Sequence, residues 1–179
     1  MKTASPILAG VILALVTTVV PRVPERTDPV ATDGDVARLT GELTFPVMGT
    51  GTGEFGKHAL QWRGAGIRAD LQTNDARLSG DLLLNWNCDV FLPDYVNETS
   101  GAIATGAVVV LNDGGSWEGV WRGLTYPDNA GGQHHIQLRG VGPFEEYAAL
   151  LYLTVVRGDL VVDGLVFPGE MPPVPESPV

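Results

Sequence analysis

His134 and His135 are the only adjacent histidines in the chain, and imidazole is the side chain best suited to acid/base work or metal ligation near neutral pH. Asp128, Asn129, Glu145 and Glu146 lie close enough in sequence to serve as partners. A shared site needs several of these groups to converge on one point. The pair falls in an alternating segment, however, and successive residues of a strand point to opposite faces. At most one imidazole can therefore enter an interior, and His134 is the candidate for lining it. His58, beside Lys57 in a glycine-rich stretch, has even less context for chemistry.

Trp62, Trp86, Trp117 and Trp121 supply much of the volume that can fill an interior or stack on a ligand. Trp117 and Trp121 share a strand face with Gly119 and Gly123, an alternation of large and small that suits a tapered core. With His134 they are the expected ligand-lining residues, while Glu118 and Arg122 on the opposite face can pair across strands. Other chemistries lack their residues. Ser116 has no G-x-S-x-G around it, and Gly49-Thr-Gly-Thr-Gly53 lacks the Lys-Ser/Thr ending of a phosphate loop and reads as a hairpin or loop. Asp33-Gly34-Asp35 and Asn112-Asp113-Gly114 offer oxygen ligands but do not fit an EF-hand loop. Cys88 is the single cysteine, so it forms no internal disulfide, completes no zinc cluster and is expected to be a small buried group. No catalytic, cofactor-binding or metal-ligating residue is assigned, and no cofactor is expected.

The elements that must position these residues are strands. From Arg38 onward the apolar period is two: Leu39, Gly41, Leu43 and Phe45 fall on one face, Arg38, Thr40, Glu42 and Thr44 on the other. Arg77–Leu84 repeats the pattern, and further strands are expected at Ala59–Trp62, Ile67–Gln72, Ala102–Leu111, Ser116–Arg122, His134–Arg139, Ala148–Val156 and Leu160–Phe167. Gly64-Ala65-Gly66, Asn74-Asp75, Asn112 to Gly115, Pro127 to Asn129 and Arg157 to Asp159 carry the turn chemistry between them. Phe144–Leu153 competes as a helix through its Glu, Ala and Leu, but it runs into β-branched residues and is read as a turn entering a strand.

Glycine makes up 23 of 179 residues, and Gly41, Gly80, Gly106, Gly119 and Gly164 each follow a polar residue in mid-strand. Glycine inside a strand costs entropy and packs nothing, so its repeated use there marks bending or close backbone approach. Repeated around a sheet, it is what closure demands. The fold class expected is all-β: a single antiparallel closed β-barrel of about eight strands over residues 36–169, with a β-sandwich as the alternative.

The ends of the chain have another character. Residues 7–20 form an apolar run of 14 residues between Pro6 and Pro21. As a helix it rises about 21 Å, short of the roughly 30 Å hydrocarbon core. Behind Lys2 it reads as the core of a signal peptide, with residues 1–31 forming a leader or an uncleaved anchor plus spacer. The expected location is secreted or extracytoplasmic. Asn97-Glu98-Thr99 is a glycosylation sequon, and residues 170–179 form a proline-rich, solvated tail. A formal net charge of −10, with Lys57 the only lysine after Lys2, argues against nucleic-acid and anionic-membrane partners. Membrane contact is expected only through the N-terminal segment. The sequence leaves the oligomeric state open.

The segments Gly115-Ser-Trp117-Glu-Gly119-Val-Trp121-Arg-Gly123, Leu138-Arg-Gly140-Val-Gly142-Pro-Phe-Glu-Glu-Tyr147 and Asp163-Gly-Leu-Val-Phe-Pro-Gly169 follow one another in the C-terminal half. Together they resemble a loose group of secreted β-barrel proteins similar in architecture to the allene oxide cyclase and dirigent barrels. Ala148-Ala149 departs from the Gly-Leu that follows the tyrosine in that group. The resemblance implies an antiparallel eight-stranded container with a small apolar interior, and, on the cyclase side, shaping of a reactive substrate without metal or nucleotide. It carries no catalytic residue onto numbered positions here. The expected function is a secreted, non-catalytic barrel that binds a small apolar ligand or a surface component. The alternatives are a cofactor-free isomerase or cyclase, and a structural or interaction module with a filled core.

Overall fold

The computed structural model describes residues 36–48, 51–91, 101–127, 131–156 and 159–173. The apolar run 7–20 and its spacer, Asp33 to Asp35, the sequon at Asn97, Asp128, Asn129 and residues 174–179 lie outside the described residues. The strands are β1 (Ala37–Met48), β2 (Thr52–Phe55), β3 (Ala59–Thr73), β4 (Gly80–Phe91), β5 (Gly101–Asn112), β6 (Gly115–Thr125), β7 (Gly132–Val141), β8 (Tyr147–Val156) and β9 (Asp159–Pro168). They form one antiparallel sheet, ordered β1-β9-β8-β7-β6-β5-β4-β3-β2. β1 pairs with β3 as well, from Gly41 opposite Thr73 to Met48 opposite Ile67, so the sheet closes on itself as a ring. β2 pairs with the first half of β3 in the register that β1 holds further along it, Met48 opposite Ile67 and Thr52 opposite Arg63, so it continues the β1 line.

Period-two alternation sends one face of each strand inward. Leu39 and Leu43 of β1, Leu82 and Leu84 of β4, Val108 and Val110 of β5, Trp117 and Trp121 of β6, and Ile136 and Leu138 of β7 meet in one buried cluster. The outward rows hold Arg38 and Glu42, Arg68 and Gln72, and Gln133, His135, Gln137 and Arg139. Arg38–Asp163, Arg68–Asp81 and Arg139–Glu118 pair across neighbouring strands on this wet face. Exposed pairs of this kind contribute about 0–1 kcal/mol each. The same outward face also carries large apolar side chains, among them Ile103, Val120, Leu124 and Val161. No helix of the described residues is long and apolar enough to cross a membrane.

Two local expectations need correction. Arg77–Leu84 is not one strand: Ala76–Leu78 is a 3₁₀ turn, because the Asp75 side chain accepts from the Arg77 backbone N–H and rolls Leu78 into the core. Ala59–Trp62 and Ile67–Gln72 are one strand, β3, bent between Trp62 and Ala65 by a bulge in which Gly64 takes φ +62°. Part of the Gly49–Gly53 loop is ordered as β2 in a hairpin with β3. Phe144–Leu153, the helical competitor, contains the end of a 3₁₀ turn at Gly142–Phe144 and then strand β8.

Gly41, Gly106, Gly119 and Gly164 lie within strands, whereas Gly80, expected in mid-strand, opens β4; all five face inward, and each meets a neighbouring strand at the same kind of contact. A Cβ added at Gly41, Gly80, Gly106, Gly119 or Gly164 would overlap the carbonyl oxygen of Gln72, Leu111, Asn85, Gln137 or Leu150 respectively. Only hydrogen lets the adjacent strand pass so close. The pairing then sets large against small across the interior: Trp86 and Trp121 flank Gly106, and Leu151 and Leu39 flank Gly164. Gly119→Ala is therefore expected to lose about 2–3 kcal/mol, the upper range for overpacking a core. Gly66→Ala, whose Cβ would meet nothing within 4 Å, should be neutral or gain up to about 1 kcal/mol. Urea denaturation of the two variants beside the parent checks the contrast.

One end of the ring is plugged. Asn74 ties the β3–β4 turn to β1, accepting from the Thr40 N–H at 2.9 Å and donating to the Arg38 carbonyl at 3.2 Å. Asp75 is 6% exposed and pairs with Arg77 at 2.6 Å, and the Arg77 guanidinium lies 4.7 Å from the centre of the Tyr147 ring. The Arg77 carbonyl accepts from Trp117 Nε1 at 2.6 Å and Asn112 Nδ2 at 2.7 Å, while Trp117 stacks on Phe144 with centroids 5.5 Å apart. Burial works against the Asp75 charge, but the Arg77 hydrogen bonds and charge outweigh it and hold the carboxyl below its ordinary range. Removing one partner of such a buried pair leaves the other charge uncompensated. Asp75→Ala should cost about 3 kcal/mol or more in denaturant unfolding.

Candidate functional site

The interior is unequal along its length. Leu71, Leu78, Leu82, Val110 and Trp117, at the plugged end, are all 0% exposed. At the far end Cys88, Ala104 and His134 keep 7, 6 and 8%. These three sit in one row, since Cys88 pairs with Ala104, Ala104 with Gly123, and Gly123 with His134. Trp86 stands in the next row, opposite Ala65 and Gly106, and Gly106 faces Trp121. Trp62 joins them through the β3 bulge. Trp62 and Ala65 are an odd number of residues apart, yet they pair with Cys88 and Trp86, both on the inward face of β4, because the bulge absorbs the extra residue.

His134 Nδ1 accepts from Trp121 Nε1 at 3.1 Å, and the two rings meet edge-on with centroids 5.3 Å apart. Gly123 makes room, since a Cβ there would overlap the imidazole. Burial pushes the His134 pKa down to about 4, and the charge of neighbouring His135 acts in the same direction. The ring is therefore neutral at physiological pH, and because Nδ1 accepts, its proton is assigned to Nε2. Trp86 packs against the core cluster, but its indole Nε1 is buried without an acceptor among the described residues. A buried donor in that state costs about 1–3 kcal/mol. Burial pushes the Cys88 thiol up to about 11, with Asp89 adding to the shift and Arg63 opposing it, so the group stays protonated and unreactive at neutral pH.

Of the expected lining residues, Trp121 and His134 stand together at this end, whereas Trp117 lies under the plug. His135 projects outward against Tyr152, with centroids 4.7 Å apart, and His58 is exposed. Glu145 and Glu146 belong to the plugged end, one β7 length from His134. Asp75 and His134 are the buried polar side chains among the described residues, and the ring separates them. No group of three or more His, Cys, Asp or Glu suited to a metal ion occurs among the described residues. Sequence reasoning named Trp62 and Trp86 among the tryptophans that could fill an interior or stack on a ligand, but did not place them with the expected lining residues. The phase of Trp86 with Leu82 and Leu84 was a usable signal, whereas the Trp62 phase is hidden by the bulge. A shallow groove of about 450 Å³ lies on the outer wall across β3, β4 and β5, lined by Gly66, Arg68, Leu83, Asn85, Ala107 and Val109 among others.

The fold and this site define an all-β chain whose single sheet closes as a ring, plugged at one end and lined with tryptophan at the other. Comparison with protein-family models, curated proteins and solved structures finds no match.

The His134 imidazole titrates near 6.5 in the unfolded chain and near 4 in the folded one, so unfolding takes up a proton between those values. Its contribution to stability is present above pH 6.5 and is lost as the pH falls through 4, a total of about 3 kcal/mol. His134→Gln, whose amide oxygen can still accept from Trp121, should flatten that part of the stability profile measured by chemical denaturation between pH 4 and 7.

Proposed function

We propose that this chain is a secreted, non-catalytic β-barrel that holds a small, mainly apolar molecule at the Trp62, Trp86 and His134 end of its ring. The observation that supports it is the pairing of aromatic walls with a floor of small side chains at the end where residual exposure is concentrated. Trp62, Trp86 and Trp121 are the walls, and Ala65, Cys88 and Ala104 the floor. Such convergence of apolar surface with a few placed polar groups is the usual make-up of a small-molecule site. Reading the ring as a small closed barrel also agrees with the Gly and Trp outline that resembles the allene oxide cyclase and dirigent barrels. Export rests on the apolar run 7–20 behind Lys2.

A structural module with a filled core is the second reading, favoured by the packing of Trp117, Leu71, Leu78 and Leu82 at the plugged end. The cyclase reading is favoured by the buried His134 imidazole and would be favoured further by a buried carboxylate beside it. The buried carboxylate among the described residues is Asp75, which is committed to Arg77 at the opposite end. Thermal unfolding with and without 2-isopropenylnaphthalene, a hydrocarbon of tryptophan size, separates the readings. Binding to the folded state alone should raise Tm with probe concentration and saturate in stoichiometry near one per chain. Trp62→Ala should weaken it. No stabilisation by this probe at its solubility limit would hand the chain to the filled-core reading.

A further inference from the structure

Trp86 lies on the wall of the proposed site, and its indole N–H is buried with no acceptor among the described residues. Native interiors seldom leave such a donor unmet, so each instance asks for a missing acceptor. Most of the other polar side chains at this end are donors, the Thr125 hydroxyl, which can both donate and accept, being the exception. Trp121 already spends its N–H on His134 Nδ1, which leaves the His134 Nε2–H as the second N–H donor of this end. Cys88 adds a protonated thiol, a weak donor. The nearest strong cation on the adjoining strands, Arg63, is engaged with Asp89. A site that offers neutral N–H groups suits an oxygen with lone pairs. It does not suit a cation, which needs acceptors, and an anion would enter it against a chain of net charge −10.

We infer that the molecule taken at this end carries an uncharged hydrogen-bond acceptor, a carbonyl or ether oxygen on an apolar body, and that the Trp86 indole N–H donates to it with the His134 Nε2–H as the second donor. The inference rests on the binding reading above and narrows it to a ligand class. It also assigns Trp86 a specificity role that core packing does not require. Phenylalanine would fill much of the same volume without the N–H.

The experiment uses two probes of one shape: 2-acetylnaphthalene, which has a ketone oxygen, and 2-isopropenylnaphthalene, which has a CH₂ in its place. The full chain should bind the ketone about threefold to tenfold more tightly, the range set by one net hydrogen bond. Trp86→Phe should erase the preference between the two probes, bringing the ketone to the affinity of the hydrocarbon in that variant, whatever the smaller ring does to the affinity for both. In the unsubstituted chain the Trp86 indole ¹⁵N–¹H resonance should move with the ketone and stay in place with the hydrocarbon, a readout that holds even if the variant fails to fold. Equal saturable binding of both probes, as expected if a water molecule already satisfies the indole, would overturn the inference and leave the binding reading standing. Binding of neither probe would overturn both.

Discussion

The approach of a neighbouring carbonyl oxygen to each of the inward glycines Gly41, Gly80, Gly106, Gly119 and Gly164 is the contact on which the architecture depends. A side chain at any of them would hold two strands apart and open the wall. With hydrogen there, β1 can curve far enough to pair with β9 on one side and β3 on the other. Closure in turn removes most of the sheet edges, which otherwise leave rows of unpaired backbone groups. The large inward residues next to these glycines, Trp86, Trp121, Leu138 and Leu151, fill the volume that the missing side chains concede.

The two ends of the ring use their polar groups in opposite ways. At the plugged end the polar groups close largely on one another: Asp75 on Arg77, Arg77 on Tyr147, and the Trp117 and Asn112 N–H groups on the Arg77 carbonyl. That mutual satisfaction makes the burial of an ion pair tolerable. At the far end Trp121 donates to His134, but the indole of Trp86 is left over. The plug belongs to stability and the leftover donor belongs to the proposed function.

Much of the fold is legible in the sequence because period two is a local signal. β5, β6, β7, β8 and β9 extend the expected segments by only a few residues at each end, and the alternation put His134 and His135 on opposite faces. Three features escaped that signal. Leu78 reads as part of an alternating strand, but the side chain of Asp75 caps a turn there and brings Leu78 inward by a different route. Trp62 reads out of phase with Ile67 until the bulge at Gly64 is counted. β2 is too short and glycine-rich to declare itself, and it exists because β3 offers an edge.

By itself the sequence determined that the chain is all-β, which face of most strands turns inward, and where the mid-strand glycines fall. These are properties of residue type and spacing within a single strand. Only the tertiary structure decided that Trp62, Trp86, Cys88, Ala104, Trp121 and His134 share one end while Asp75 and Trp117 share the other. That partition follows from the register between strands distant in sequence and from the pairing of β1 with β3, which are set by long-range packing and not by any local pattern.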